Sequence, residues 1–213
     1  MKKVHTLAIG ALLLGGALPL AAQAQEAGDM TLSGGVSSLG IYVEPTYTVN
    51  SQLSLRAPLY WGEGDVTLED DGNSIDSTVE SLSLALVADY FPWANGVFFS
   101  GGIAFGGYSA SGNTNQVTAN GNTYSGDFGM NIEQKSKVAP QVSVGYRRAM
   151  DTGMTFAVEA GARVATYEMS LSGIDSQPQQ AQDDINAEVA SINDSLSDFP
   201  VVPFISLSIG WRF

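Results

Sequence analysis

The stretch Val201-Val202-Pro203-Phe204-Ile205-Ser206-Leu207-Ser208-Ile209-Gly210-Trp211-Arg212-Phe213 decides the fold. In steps of two, Val201, Pro203, Ile205, Leu207, Ile209, Trp211 and Phe213 share one face, and Val202, Phe204, Ser206, Ser208, Gly210 and Arg212 share the other. One face is apolar throughout and the other is mostly small or polar. Strands of membrane barrels alternate this way over about ten residues, lipid side against lumen side, with aromatic rings gathered at the water boundary.

The same alternation recurs upstream. Leu39, Ile41, Val43, Pro45, Tyr47 and Val49 form one outward row, and Leu53, Leu55, Ala57, Leu59 and Trp61 the next, across a short link at Asn50 and Ser51. Further rows run Leu82 to Tyr90, Val97 to Phe105, Val138 to Tyr146 and Met154 to Val164. The links alternate short and long. Asp71-Gly72 and Asn120-Gly121 are favoured tight-turn dipeptides, the first inside a protruding acidic hairpin and the second inside a polar stretch, 108–126, that reads as a loop. Seven strands result, and a bacterial barrel needs an even number, so a short eighth is expected around Met30 to Val36. In the last long link, Ala181, Ile185, Val189, Ile192 and Leu196 recur at helical spacing after Pro178, which predicts an amphipathic helix docked on the barrel rim. The fold class is therefore all-β: an eight-stranded antiparallel up-and-down transmembrane β-barrel with one amphipathic helix in the last long loop.

Lys2 and Lys3, an apolar run from Leu7 to Ala22 and the small-x-small pattern Ala22-Gln23-Ala24 predict a cleavable export signal over residues 1–24, leaving the barrel in 25–213. Seven cations against 22 acids then remain, a formal charge of −15, so nucleic acid is not an expected partner. Cysteine is absent and the single histidine, His5, lies in the signal. The exported chain thus lacks the usual general base and the commonest metal ligand, and no catalytic residue, metal or cofactor is expected. The acids Glu69, Asp70, Asp71 and Asp76 do not match a calcium loop.

Inward parity places Glu44, Asp89 and Glu159 in the lumen with Arg56, Arg147, Arg163 and Arg212. Four of the seven remaining cations thus point into a confined space where charges need partners. Counting from the tight turns puts Glu44, Arg56 and Glu159 at one height and Asp89, Arg147 and Arg212 lower, which predicts two charge layers plugging the bore.

The segment Leu39-Gly40-Ile41-Tyr42-Val43-Glu44-Pro45-Thr46-Tyr47 followed by Leu53-Ser54-Leu55-Arg56, the turn entry Asp89-Tyr90-Phe91-Pro92, and the Ile205-to-Phe213 ending resemble small outer-membrane barrels of the OmpA, OmpX and OmpW types. Trp211 and Phe213 resemble the carboxyl-terminal signal that the barrel assembly machinery reads in such proteins. No peptidoglycan-binding domain of the OmpA kind is expected. The resemblance implies a monomer in the cell outer membrane, in contact with membrane lipid and lipopolysaccharide, with a structural or surface-interaction role. The alternative it implies, through the OmpW type, is a narrow passive channel for small or hydrophobic solutes.

Overall fold

Backbone pairing follows the alternation just described. The computed structural model describes residues 27–70, 73–93, 95–198 and 200–213; the expected export signal and the dipeptide Asp71-Gly72 lie outside them. The strands are β1 (Met30–Ser37), β2 (Gly40–Asn50), β3 (Leu53–Arg56), β4 (Leu59–Asp70), β5 (Asn73–Tyr90), β6 (Val97–Ala119), β7 (Asn122–Gln134), β8 (Val138–Ala149), β9 (Met154–Val164), β10 (Tyr167–Ser172) and β11 (Val201–Arg212), with one long helix, α1 (Gln179–Asp198).

Eight antiparallel strands close into a ring. The order is β1, β2, β3 continued by β4, β5, β6, β8, β9 and β11, and β11 returns to β1 through pairs from Thr31↔Arg212 to Ser37↔Ser206. Closure leaves no unpaired ring edge, which is what a sheet needs in hydrocarbon. β3 and β4 count as one ring strand, broken at Ala57 and Pro58.

Each proline in a strand stands beside a gap in the ladder, where its missing N–H costs least. Pro45 faces the β3–β4 break, and its carbonyl accepts from Ala57 N at 3.0 Å. Pro140 lies one residue beyond the last β8–β9 pair, Gln141↔Arg163. Pro203 pairs with Ala162 of β9, while the β1 pairing of its strand begins only at Ser206.

The outer wall is apolar. Leu32, Ile41, Leu55, Leu84, Leu86, Ile103, Val142, Ile205, Leu207 and Ile209 are all exposed, a patch far beyond what a soluble monomer carries. No helix among the described residues is long and apolar enough to cross a membrane. Tyr47, Tyr90, Trp93, Phe99, Phe156 and Trp211 are exposed near the tight-turn end, and Trp61 and Phe105 at the other end. Phe91 and Tyr167 do not join these belts: Phe91 is buried, and Tyr167 packs against the inward cluster of Ala85, Val87, Ala104, Ala139 and Ala165.

Above the ring the wall continues on one side only. The upper parts of β4, β5 and β6, joined by β7 and β10, form a five-stranded extension. The stretch 108–126, which reads as a loop, is a hairpin of paired strands that turns at Asn120 and Gly121, with φ of 50° and 77°. Its Ser, Thr, Asn and Gly residues carry no apolar alternation, yet β5 and β7 on either side satisfy the β6 backbone, so cross-strand context overrides propensity.

The helix docks on this extension rather than on the barrel rim. Ile185 packs with Ala119 and Phe128, and Val189, Val117, Tyr124 and Leu171 surround them. The register of β6 against β7 shifts between Thr114 and Gln116, and the inward parity of β6 changes with it, turning Val117 and Ala119 toward the helix. Asn193 completes the contact: its Oδ1 accepts from Met169 N at 2.7 Å and its Nδ2 donates to Met169 O at 3.0 Å. One amide side chain thereby satisfies both backbone groups of a residue on β10, the outermost strand of the sheet.

Candidate functional site

The lumen is organised around Arg56, the last residue of β3. Its Nε donates to Asp89 Oδ1 at 2.8 Å, its Nη1 to Glu44 Oε2 at 2.9 Å and to Glu159 Oε2 at 2.7 Å, and its Nη2 to Glu159 Oε1 at 2.6 Å and Ser100 Oγ at 3.2 Å. The pairing with Glu159 is two-pronged, the geometry that suits a planar guanidinium best. Arg147 joins from below, Nη2 donating to Asp89 Oδ2 at 2.9 Å and lying 3.8 Å from Glu44. Ser100 and Ser143 donate to the remaining lone pairs of Asp89 and Glu159 at 2.6 and 2.5 Å. Glu44 is 2% exposed, Asp89 0% and Glu159 4%.

Aromatic rings close on this cluster from both ends. Below, Phe98 lies 5.4 Å from the Arg56 guanidinium and 5.1 Å from that of Arg147, which is also 5.7 Å from Phe91. Above, Arg163 donates to Gln141 Oε1 at 2.8 Å and Ser83 Oγ at 3.0 Å, with its guanidinium 4.8 Å from Tyr60 and 6.0 Å from Phe204. Tyr60 and Phe204 continue upward into a cluster with Leu39 and Tyr42, against which Tyr108 and Val202 pack. Glycines make room for these rings: a Cβ at Gly145 would collide with Phe98, one at Gly161 with Phe204, and one at Gly35 with Tyr42.

Two charge layers are therefore not what forms. Glu44, Arg56, Asp89, Arg147 and Glu159 make one cluster, Arg163 stands above it bonded to neutral partners, and Arg212 is apart at the lower mouth, 3.4 Å from Asp29. In the ladder Asp89 lies two residues below the level of Arg56, opposite Ser54. The long arginine side chain spans that step, merging the levels that residue counting separates. Counting Arg163, three guanidinium groups balance three carboxylates, which limits the cost of burying each charge. The serines, Gln141 and the rings carry no sequence signal beyond inward parity. Trp211 and Phe213 are exposed on the outer wall.

Barrels of this kind are also found among solved structures. Acinetobacter baumannii CarO superposes with a TM-score of 0.61 at 17% identity, over 86% of this chain and 97% of that one. CarO2 of the same organism gives 0.64 at 13% identity, over 89% and 100%. A major outer membrane protein of Thermus thermophilus aligns over 87% and 99% at 11% identity, with a TM-score of 0.44, below the level that argues a shared fold. No model of a known protein family matches the chain, and no curated protein sequence does. The fold is that of an outer-membrane β-barrel. The finer resemblance to OmpA-, OmpX- and OmpW-type barrels finds no counterpart among these structures.

Proposed function

We propose that this chain is an integral outer-membrane protein whose bore is shut by its own side chains and whose surface extension carries its role, structural or interactive, outside the membrane. The observation that supports it most is the Arg56 cluster, in which Glu44, Asp89 and Glu159 converge on one guanidinium inside a ring just wide enough for side chains. Membrane lipid and lipopolysaccharide are the surroundings this reading requires, as the apolar outer wall needs hydrocarbon. Liposome swelling with sugars and amino acids of graded size tests it. Vesicles carrying the wild-type protein swell no faster than empty ones on this reading; size-dependent swelling would replace it with the channel reading.

A narrow passive channel for small solutes is the second reading. Nη1 of Arg147 and Nη2 of Arg163, below and above the cluster, are buried without a hydrogen-bond partner, and a thread of water would satisfy both.

A further inference from the structure

We propose that the extension carries a binding groove for a neutral saccharide on its outward face, a site that stands whether or not the bore conducts. One row of paired residues crosses all five strands there: Asp65, Thr78, Ser111, Asn131 and Ser170. Asp65 follows Trp61 by four residues and Thr78 precedes Leu82 by four, so the row keeps the parity of the lipid-facing wall and points away from the bore. Four residues of strand put it ~13 Å along the chain beyond the Trp61–Leu82 level, in the water above the aromatic belt. The groove these residues line holds about 880 Å³, near the upper end of the ~300–1,000 Å³ of small-molecule sites.

The chemistry of the lining selects the ligand. Hydroxyls and amides both donate and accept, as sugar hydroxyls do, and Asp65 adds an acceptor, itself held by Thr78 Oγ1 at 2.9 Å. Among the described residues no Lys or Arg lines the groove, so a phosphate or carboxylate finds no counter-charge there. Toward the membrane it is bordered by the paired row Glu63, Glu80, Ser109, Glu133 and Glu168. Lys137 and Lys135 bridge Glu133 and Glu168 at 3.0 Å each, while no such bridge occurs for Glu63 or Glu80 among the described residues. That row repels anionic head groups and leaves neutral sugars as the fitting class. A Cβ at Gly129 would come within 2.6 Å of Ser172 Oγ, which would have to turn aside, so a methyl there would narrow the groove. Met130 and Leu171 also border the groove, but they alternate with Asn131 and Ser170 and turn their side chains to the opposite face, where Leu171 packs beside Ile185, so they offer no bed for an acyl chain.

Two sources supply such a ligand: the neutral outer sugars of the surrounding glycolipid and a soluble oligosaccharide. The test is an amide NMR titration of the full-length barrel in detergent micelles, where no membrane is needed. The probes are dephosphorylated core oligosaccharide released from lipopolysaccharide, maltohexaose, and the phosphorylated core. Shifts at Ser111, Asn131 and Ser170 with either neutral probe are expected, and the tighter probe identifies the source. Asn131→Ala should weaken the apparent Kd about tenfold, the loss of one well-placed polar contact. Gly129→Ala, which narrows the groove without removing a polar group, should do the same; unchanged lumen resonances and heat-resistant gel migration establish that both variants are folded. No shift with either neutral probe, shifts that survive both substitutions, or tighter binding of the phosphorylated core would each overturn the site.

Discussion

Arg56 holds three buried carboxylates at once. Replacing it with Ala leaves Glu44, Asp89 and Glu159 converging on empty space, with only Arg147 to offset them. Removing one partner of a buried ion pair costs ~3–5 kcal/mol, and we expect a loss of that size in the unfolding free energy, read by tryptophan fluorescence during denaturant titration in lipid vesicles. Arg56→Lys keeps the charge but not the two-pronged bond to Glu159, so it should fall between wild type and Ala. A loss below ~1 kcal/mol for Arg56→Ala, the scale of a surface pair, would show that water reaches the cluster. Gly145→Ala tests the packing beneath it. The new methyl would collide with Phe98, the ring under both guanidinium groups, and overpacking of this kind costs ~1–3 kcal/mol.

At the level of elements, the docking of α1 should respond to pH. Asp184 accepts from Tyr124 Oη at 2.5 Å and Asn120 Nδ2 at 3.2 Å, tying the helix to the tip of the β6–β7 hairpin. Those hydrogen bonds hold the Asp184 carboxyl below its ordinary range, and the same bond pushes the Tyr124 hydroxyl up. A lowered acid stabilises docking above its ordinary pKa and loses that contribution as pH falls through its folded value. A raised tyrosine stabilises docking below its ordinary pKa and loses it as pH climbs through its own. Amide protection factors at Ile185 and Val189 should therefore be highest near neutrality and fall at both extremes, and Asp184→Asn should flatten both sides, since the rise of Tyr124 comes from the same carboxylate. An acid limb that survives Asp184→Asn would point to another carboxylate. Deleting α1 should leave heat-resistant migration on gels intact, because the ring's hydrogen bonds do not pass through it. The elements differ in how readable they were. Ring strands declare themselves because lipid on one side imposes an apolar row, as from Val201 to Phe213, and the helix because Ile185 and Val189 recur on one face. The upper hairpin of β6 and β7 stayed silent, since only a few of its residues, Val117, Ala119, Tyr124 and Phe128, meet the helix, and its Ser, Thr, Asn and Gly residues keep no alternation. Parity and counting from the tight turns put Glu44, Arg56 and Glu159 together, but the reach of Arg56 down to Asp89 belongs to side-chain length, which spacing does not encode.

At the scale of the whole molecule, two features follow from one geometry. A ring of eight strands leaves an interior just wide enough for side chains, and here it is filled from Phe91 at the bottom through the charge cluster to Leu39 and Tyr42 near the top. The extension stands on one side only, because β4, β5 and β6 overrun their neighbours while β1 and β2 turn at the rim. Single-channel recording in a planar lipid bilayer tests most directly whether the bore is shut as proposed. The inserted wild-type protein should give no steady conductance, and Arg56→Ala, by opening the cluster, should produce brief cation-selective events as the three carboxylates lose their partner. Stable wild-type channels whose conductance Arg56→Ala leaves unchanged would contradict a shut bore.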